Sequence, residues 1–353
     1  MSARGYLVLE DGTVFPGRSV GAQGVALGEA VFTTGMSGYQ EVATDPSFAE
    51  QLVAFTAPMV GNYGVAEQRG ESDRAWARAV LMRRAGGDDW CGWLDARGVV
   101  ALEEVDTRSL VTRLRDRGAM AAAAVADGTP VEEALALVRA RPSMAGRALV
   151  ASVSTPEPVE LGEGDVHVAV LDYGCKRSIA RRLAATGVRA TLLPHDTPAD
   201  EVLAVGADGV LLSNGPGDPA ALPAEVEVVR ELLGRTPILG ICLGHQLLGL
   251  AAGLTTTKLP FGHRGANHPV LETETGRVLV TSQNHGFAVE QGAEGDARVT
   301  HLSLYDGTVE GLELPGERAH SVQFHPEAGP GPHDAWPILA GWVEELREAV
   351  VRA

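Results

Sequence analysis

A chain of 353 residues with 46 acidic and 29 basic side chains, a net charge of −17, is long enough for two domains. This charge argues against non-specific binding to nucleic acid or to an anionic membrane, and we expect neither as a partner. The three cysteines, Cys91, Cys175 and Cys242, form no Cys-x-x-Cys pair, and an odd number at wide spacing is typical of a reducing compartment. The first residues lack the apolar core of a signal peptide, and no run reaches the ~20 apolar residues of a membrane span. The sequence therefore predicts a cytoplasmic protein.

The N-terminal half mixes strands and helices without a regular alternation. A hairpin is predicted over residues 6–17 around Asp11-Gly12, strands over 29–34 and 52–57, and a loop at 44–47. Asp106 is a good N-cap for a helix that Gly118 ends, and a second amphipathic helix is predicted over 131–140. Because this half contains no cluster of titratable residues, we interpret residues 1–153 as a mixed α/β domain for assembly and for shaping the substrate site.

Residues 154–164 are rich in proline, glycine and acids and poor in apolar side chains, so we predict a linker there. From 165 to 353 strands and helices alternate. Continuous apolar runs are typical of strands that are covered on both faces, and they occur at 166–171, 188–193, 209–212 and 238–241. The sequence therefore predicts an α/β domain with a doubly wound, mainly parallel sheet. Shorter strands are predicted at 277–281, 298–302, 308–312 and 320–324, and a last helix from about residue 337.

The segment Gly240-Ile-Cys-Leu-Gly244 follows the fourth of these apolar runs. It is the cysteine version of a Gly-x-nucleophile-x-Gly elbow, in which glycines permit a sharp turn from strand to helix. The turn would place the thiol of Cys242 at a helix N-terminus, which favours the thiolate form. Taken alone, the motif is more often a buried structural cysteine in a β-α unit.

A second motif, His320-Ser-Val-Gln-Phe-His-Pro-Glu327, distinguishes the two interpretations. Its alternation predicts a strand that ends in His325 and Glu327. Residues two apart on an extended strand point the same way, so Glu327 can hold the imidazole of His325 in one tautomer. A cysteine, a histidine and a carboxylate from distant segments are the nucleophile, base and orienting group of acyl transfer. We predict these roles for Cys242, His325 and Glu327.

The motifs Gly-Ile-Cys-Leu-Gly-His-Gln and His-Pro-Glu together resemble those of the class I glutamine amidotransferase domain. The stretches Thr34-Gly-Met-Ser-Gly-Tyr-Gln-Glu41 and Thr44-Asp-Pro-Ser47 narrow the resemblance to the small, glutamine-hydrolysing subunits of carbamoyl phosphate synthetases, over nearly the whole chain. The resemblance implies that Cys242 attacks L-glutamine. It also implies a set of glutamine-binding residues: Ser47, Gly215, Gly217, Leu243, Gln246, Asn284, Gly286 and Phe287.

These binding residues would act mainly through the backbone. Leu243 and Gly215 would present N–H groups to the oxyanion of the tetrahedral intermediate. The loop 284–287 would grip the α-amino and carboxylate groups of glutamine, and Ser47 would reach the same ligand from the N-terminal domain. Gln246 lies one helical turn after Cys242 and suits a substrate contact. His245 points elsewhere on that helix, and we predict a structural role for it.

The chain lacks a Walker loop and the length for an ATP-consuming domain, so we expect no cofactor in it. The resemblance implies that ATP and Mg lie on a large subunit, in a heterodimer or a higher oligomer of it. Ammonia would pass to that subunit, which makes carbamoyl phosphate from bicarbonate and two ATP for arginine and pyrimidine biosynthesis. No metal is expected either, because the loops that hold His263, His268 and His325 lack the close histidine pairing of zinc sites.

Three alternatives stay open: an amidotransferase that feeds another synthase, a stand-alone γ-glutamyl hydrolase, and a non-catalytic homologue, which the intact triad disfavours. Two departures from the family pattern bear on the pathway. Cys175 stands where the family has a small aliphatic residue, and the segment 83–98 is shorter than usual. Neither touches the triad, and both leave open whether the chain is a pathway-specific paralogue.

Overall fold

A computed structural model of the chain describes residues 4–290, 292 and 297–352. The contacts divide the chain into two units, Met1–Met144 with Leu259–Gly265, and Ala145–Lys258 with Ala266–Ala353. The first three residues, part of the stretch in which no signal peptide is predicted, lie outside the described residues. Within the described ranges, no helix combines the length and the apolar character needed to cross a bilayer.

The first unit is built on a closed barrel of seven strands, in the order β1-β2-β6-β5-β4-β3-β7. The strands are β1 (Arg4–Leu9), β2 (Val14–Ser19), β3 (Val25–Thr33), β4 (Gln51–Phe55), β5 (Ala79–Leu81), β6 (Val100–Glu103) and β7 (Met120–Val125). The helices are α1 (Tyr39–Thr44), α2 (Asp88–Ala96), α3 (Thr107–Arg117) and α4 (Val131–Ala140). The predicted hairpin is confirmed as the antiparallel pair β1–β2. Asp106 caps α3 by accepting the Ser109 N–H, also as predicted.

Strands β3 to β6 run parallel to one another, and this explains their apolar sequences. In β4, Leu52 belongs to one buried cluster while Val53 and Phe55 belong to another, so both faces of the strand are covered. Leu110 and Leu114 of α3 join the first of these clusters. The barrel needs β1 to pair with β7, which is more than a hundred residues away in the chain.

The second unit contains a ten-stranded sheet, in the order β14-β13-β15-β16-β17-β12-β11-β9-β10-β8. Its strands are β8 (Val159–Leu161), β9 (Val166–Asp172), β10 (Val188–Pro194), β11 (Gly209–Leu212), β12 (Ile238–Ile241), β13 (Thr256–Glu272), β14 (Val278–Val289), β15 (Arg298–Ser303), β16 (Val309–Leu314) and β17 (Ala319–Val322). The helices are α5 (Arg177–Ala185), α6 (Ala199–Ala204), α7 (Pro223–Leu232), α8 (Leu243–Ala251) and α9 (Trp336–Arg352). Strands β10, β9, β11, β12 and β17 are mutually parallel and form its centre.

Helices cover both faces of this central sheet. In β9, Ala169 and Leu171 pack in the cluster that contains α6, α7 and α8, whereas Val168 and Val170 pack in the cluster that contains α5 and α9. Continuous apolar strands are the consequence, because side chains on either face are buried. The predicted fold class, a mixed α/β unit followed by a doubly wound, mainly parallel α/β sheet, is confirmed.

The structure draws the boundary between the units differently from the predicted linker at 154–164. Strand β8 lies inside that segment and pairs antiparallel with β10, so the segment belongs to the second unit. Conversely, the middle of β13 belongs to the first unit: Thr34 donates its N–H to the Arg264 carbonyl at 3.0 Å, and the rings of Phe32 and Phe261 stack. Composition identifies polar segments but not the strands with which they pair. For this reason the predicted linker lies after the boundary between Met144 and Ala145.

Candidate active site

Four neighbouring strands of the central sheet end at one edge, and a residue of the candidate site follows each of them. Side by side, the strands are β17, β12, β11 and β9. The segments just beyond them hold, in the same order, His325, Cys242, Gly215 and Lys176. The carboxyl ends of parallel strands are where open α/β sheets bind ligands. The topology thus collects residues that are up to about 150 positions apart, as in the Lys176–Glu327 contact with a separation of 151.

Cys242 occupies a strained turn between β12 and α8. Its φ of 55° lies in the left-handed region, which side chains other than glycine rarely adopt and which costs roughly 1–3 kcal/mol. Both flanking glycines are required: an added Cβ would lie 2.7 Å from the Gly244 carbonyl oxygen at Gly240, and 2.2 Å from the Leu212 carbonyl oxygen at Gly244. The predicted elbow is therefore present, with the thiol at the N-terminus of α8.

His325 and Glu327 are in contact, but not for the reason that the sequence suggested. The Nδ1 of His325 lies 2.7 Å from Oε1 of Glu327. Strand β17 ends at Val322, so the pair does not share a strand face as predicted; it lies in a turn, in which Ala328 donates its N–H to the His325 carbonyl. The neighbouring strand β14 fixes this turn, because the N–H of His325 donates to the Ser282 carbonyl at 2.9 Å.

Lys176 is a member of this group that the sequence analysis missed. Its Nζ lies 2.8 Å from the same Oε1 of Glu327, and the two side chains are 2% and 0% exposed. The backbone N–H of Lys176 donates to Oδ1 of Asn214, which ties the segment after β9 to the segment after β11. The available signal was its place after an apolar parallel strand, at the sheet edge that holds Cys242.

The charges of Lys176, His325 and Glu327 shift the pKa values of the histidine and the glutamate. Burial is the largest single influence on His325 and opposes its charge, but the Glu327 carboxylate and Cys242 together outweigh burial and raise the pKa of the imidazole. Burial likewise opposes a charge on Glu327, but Lys176 and His325 hold the pKa of that carboxyl well below its usual range. At neutral pH the histidine therefore carries its proton and the glutamate is ionised.

The two predicted oxyanion donors lie side by side. Gly215 touches the first residue of α8 so closely that an added Cβ would lie 2.9 Å from the Leu243 side chain and 2.1 Å from the Tyr173 carbonyl oxygen. Gly217, two residues on, has a φ of 101° and forms an isolated bridge with Ala148. Only glycine fits the first of these positions, so the backbone of this loop approaches Leu243, the residue after Cys242, without an intervening side chain.

The segment 284–287 is part of strand β14 rather than the loop that the sequence suggested. It adjoins the nucleophile, because the Cys242 thiol contacts the Asn284 carbonyl at 3.6 Å. Gln246 supports this segment instead of pointing freely at a substrate: its amide donates to the Phe287 carbonyl at 2.8 Å and to Oε1 of Gln323 at 3.0 Å. Gly286 lies between Asn284 and Phe287, so these four predicted residues share one side of the site.

A buried polar network, also missed from the sequence, underlies this segment. His285 places Nδ1 2.8 Å from the Phe287 carbonyl and Nε2 2.8 Å from Oε1 of Gln283. Gln283 in turn donates its amide to Glu310, which is fully buried. Each ring nitrogen thus faces an oxygen acceptor, an arrangement that only the doubly protonated ring satisfies in full. Through His285, the network holds the Phe287 carbonyl in position.

Two further sequence predictions have different outcomes. His245 is fully buried, its Nδ1 lies 2.9 Å from the Ser321 hydroxyl, and burial lowers its pKa to about 3, so it is a neutral core residue as predicted. Ser47 lies in the first unit, in a short 3₁₀ turn where its N–H donates to Oδ1 of Asp45 at 2.8 Å. Its contact with glutamine stays a prediction.

We expect iodoacetamide to alkylate Cys242 at least about tenfold faster at pH 7 than Cys91 or Cys175. Cys242 is the most buried of the three thiols, but it lies at a helix N-terminus beside a protonated histidine, an environment typical of nucleophilic cysteines. Burial raises the pKa of the Cys91 thiol and so slows its reaction. Peptide mapping by mass spectrometry after brief treatment measures the order, with Cys242→Ser as control. Preferential labelling of Cys175 would contradict this view.

The fold and this cysteine, histidine and glutamate define a glutamine amidotransferase domain of the triad type. Consistently, the family model "Glutamine amidotransferase class-I" matches residues 169–343. The model "Carbamoyl-phosphate synthase small chain, CPSase domain" matches residues 7–124. The two matches together cover both halves of the chain.

Curated relatives carry one printed name, carbamoyl phosphate synthase small chain. That of Xanthomonas campestris pv. campestris is 45% identical over 99% of this chain and 100% of its own length. That of Pseudomonas aeruginosa is 43% identical over 99% and 100%, and that of Xylella fastidiosa is 45% identical over 95% and 96%. The chain belongs to the carbamoyl phosphate synthase small-chain family, which confirms the resemblance drawn from its motifs.

Proposed function

We propose that this chain is the glutaminase subunit of a carbamoyl phosphate synthetase, which hydrolyses L-glutamine and passes the ammonia to a large subunit. The observation that carries the proposal is the 2.7 Å contact between His325 and Glu327, beside the strained Cys242 at the end of the neighbouring strand. This is a nucleophile with a protonated, oriented histidine, which is the machinery of acyl transfer. A structural cysteine would need neither the turn strain nor the charged pair.

In the reaction, the thiolate of Cys242 attacks the carboxamide carbon of glutamine. The backbone N–H groups of Leu243 and Gly215 stabilise the oxyanion that forms. As the C–N bond breaks, His325 gives its proton to the departing ammonia and leaves a thioester on Cys242. His325, now neutral, takes a proton from water as the water attacks the thioester. The C–S bond then breaks, which releases glutamate and restores the Cys242 thiolate beside the protonated His325. Glu327 orients the imidazole throughout, and Lys176 holds Glu327.

The glutamine-binding groups follow from the same arrangement. The backbone of 284–287, with Asn284, Gly286 and Phe287, holds the α-amino and carboxylate groups, while Gln246 and His285 keep that backbone in place. Gly215 and Gly217 also bind glutamine, and Ser47 is a further contact of the same substrate. We further propose that the chain itself needs no cofactor or metal, that ATP and Mg act on the large subunit, and that the heterodimer works in the cytoplasm.

We expect the isolated chain to hydrolyse glutamine slowly without ATP, and the large subunit with bicarbonate and ATP to raise glutamate formation at least about tenfold. A positional error of about an ångström costs on the order of a hundredfold in rate, so docking that completes the site has a large effect. The test measures glutamate and carbamoyl phosphate together, with and without the partner. Equal outputs of both products in the complex would support transfer of ammonia for arginine and pyrimidine precursors. A glutaminase rate indifferent to partner and ATP would instead indicate a stand-alone hydrolase.

A further inference from the structure

The triad carboxylate residue is held at its backbone as well as at its side chain. The indole Nε1 of Trp336 donates to the carbonyl oxygen of Glu327 at 3.3 Å. Lys176 and His325 hold the carboxylate of the same residue at 2.8 and 2.7 Å. Trp336 is the first residue of α9 and lies nine positions after Glu327, so this bond closes the loop that carries the triad glutamate.

The Trp336 indole is itself in contact with two other side chains. The guanidinium carbon of Arg182 lies 3.0 Å from the ring centroid, and the ring of His333 stacks at 3.4 Å with an angle of 22°. Cation–π contact and stacking both restrict rotation of the indole, and therefore the direction of its N–H. Arg182 belongs to α5, the helix that begins directly after Lys176.

We propose that Trp336 is a positioning residue for glutamine hydrolysis, which acts through Glu327 on the imidazole of His325. The segment of α5 then holds Glu327 at two points. Lys176, just before the helix, contacts the carboxylate, and Arg182 acts on the carbonyl through the indole of Trp336. The kinetic test of this inference rests on the proposed function. A second test does not, because a shift of His325 would change the alkylation rate of Cys242 whatever the substrate.

Two other hydrogen bonds of this loop join it to a different element. Ser282 donates its hydroxyl to the Pro330 carbonyl and Asp334 accepts the Val280 N–H, so both bonds tie the loop to β14. Ala328, next to Glu327, has a φ of 53°, an unfavourable left-handed conformation for alanine. The bond from Trp336 lies on the side of α5 and α9 and opposes relaxation of this strained turn.

The test uses the full chain with Trp336→Phe, which keeps a smaller aromatic ring and removes the N–H. Loss of one neutral hydrogen bond predicts a kcat for glutaminase about 3- to 10-fold lower, with KM unchanged. Arg182→Met, which leaves the N–H but frees the ring, should show a smaller loss of the same kind. The matched control is Trp342→Phe on the same helix, since the indole nitrogen of Trp342 has no hydrogen-bond partner within the described residues.

Two measurements separate positioning from a merely structural role. In a double-variant cycle, Trp336→Phe should cost little more once Glu327→Gln is present, because both act on one group; independent, additive losses would overturn the proposal. Second, iodoacetamide should alkylate Cys242 about threefold more slowly at pH 7 in Trp336→Phe than in Trp342→Phe, and equal rates would also overturn it. If the unaltered chain released no glutamate, the proposed function would fail, and the alkylation comparison would still decide the role of Trp336.

Discussion

Replacement of Cys242 with alanine should abolish glutamate release from glutamine, with a loss on the order of 10⁴- to 10⁶-fold, the range seen when a covalent nucleophile is removed. No other thiol can substitute for it, because Cys91 lies on α2 in the first unit and Cys175 points its sulfur at the Lys176 carbonyl. The complex with the large subunit should still make carbamoyl phosphate from added ammonia, since only the ammonia supply has been removed.

The control for this result is Cys91→Ala, which removes a half-buried thiol far in sequence from the site and should leave both activities unchanged. Glutamate is measured by a coupled dehydrogenase assay, and carbamoyl phosphate by its conversion to citrulline. Glutamate production by the alanine variant above the uncatalysed rate would remove Cys242 from the mechanism.

The second large effect is expected for His325→Asn, which should lower glutaminase activity by at least about 10³-fold because the proton donor and base are both lost. Glu327→Gln should cost less. A glutamine side chain keeps an oxygen that accepts the Nδ1–H of His325, although it no longer stabilises the protonated ring. Steady-state kinetics of the two variants at one pH measure the order.

Glu327→Gln needs its own control, because it leaves Lys176 buried without its counter-ion. Removing one partner of a buried ion pair typically destabilises a protein by about 3–5 kcal/mol. The double variant Glu327→Gln with Lys176→Met removes both charges and should recover most of that free energy of unfolding, while glutaminase activity stays low. Equal losses for His325→Asn and Glu327→Gln, with both variants fully folded, would show that the division of roles is wrong.

Sequence patterns predicted the central sheet well because its information is local. The runs 166–171 and 188–193 became β9 and β10 with a difference of one residue, since strands covered on both faces must be continuously apolar. The barrel of the first unit was not predicted, because closure depends on β1 meeting β7. Nothing in either strand specifies a partner so distant in the chain.

In the candidate site, too, features set by local sequence could be predicted and contacts between distant residues could not. Cys242 could be found from its flanking glycines, since the elbow is a local geometric requirement. The ion pair of Lys176 could not be found in this way, because Glu327 lies 151 residues away and no spacing rule relates the two positions. The predicted contact between His325 and Glu327 assumed that both lie on one strand, whereas in the structure both lie in a turn. Their separation by two residues permitted contact in either conformation.

The ion pair between Lys176 and Glu327 has a consequence for electroneutrality during turnover. In the proposed reaction, the site starts with two cations, Lys176 and His325, and two anions, Glu327 and the attacking thiolate of Cys242. Once the thioester forms, the thiolate charge has gone and His325 has released its proton, so Lys176 and Glu327 are left to cancel each other. Without Lys176, this stage would leave Glu327 as an isolated buried charge, at a cost of several kcal/mol. The lysine thus lets the histidine lose and regain its proton while the interior of the site keeps a net charge of zero.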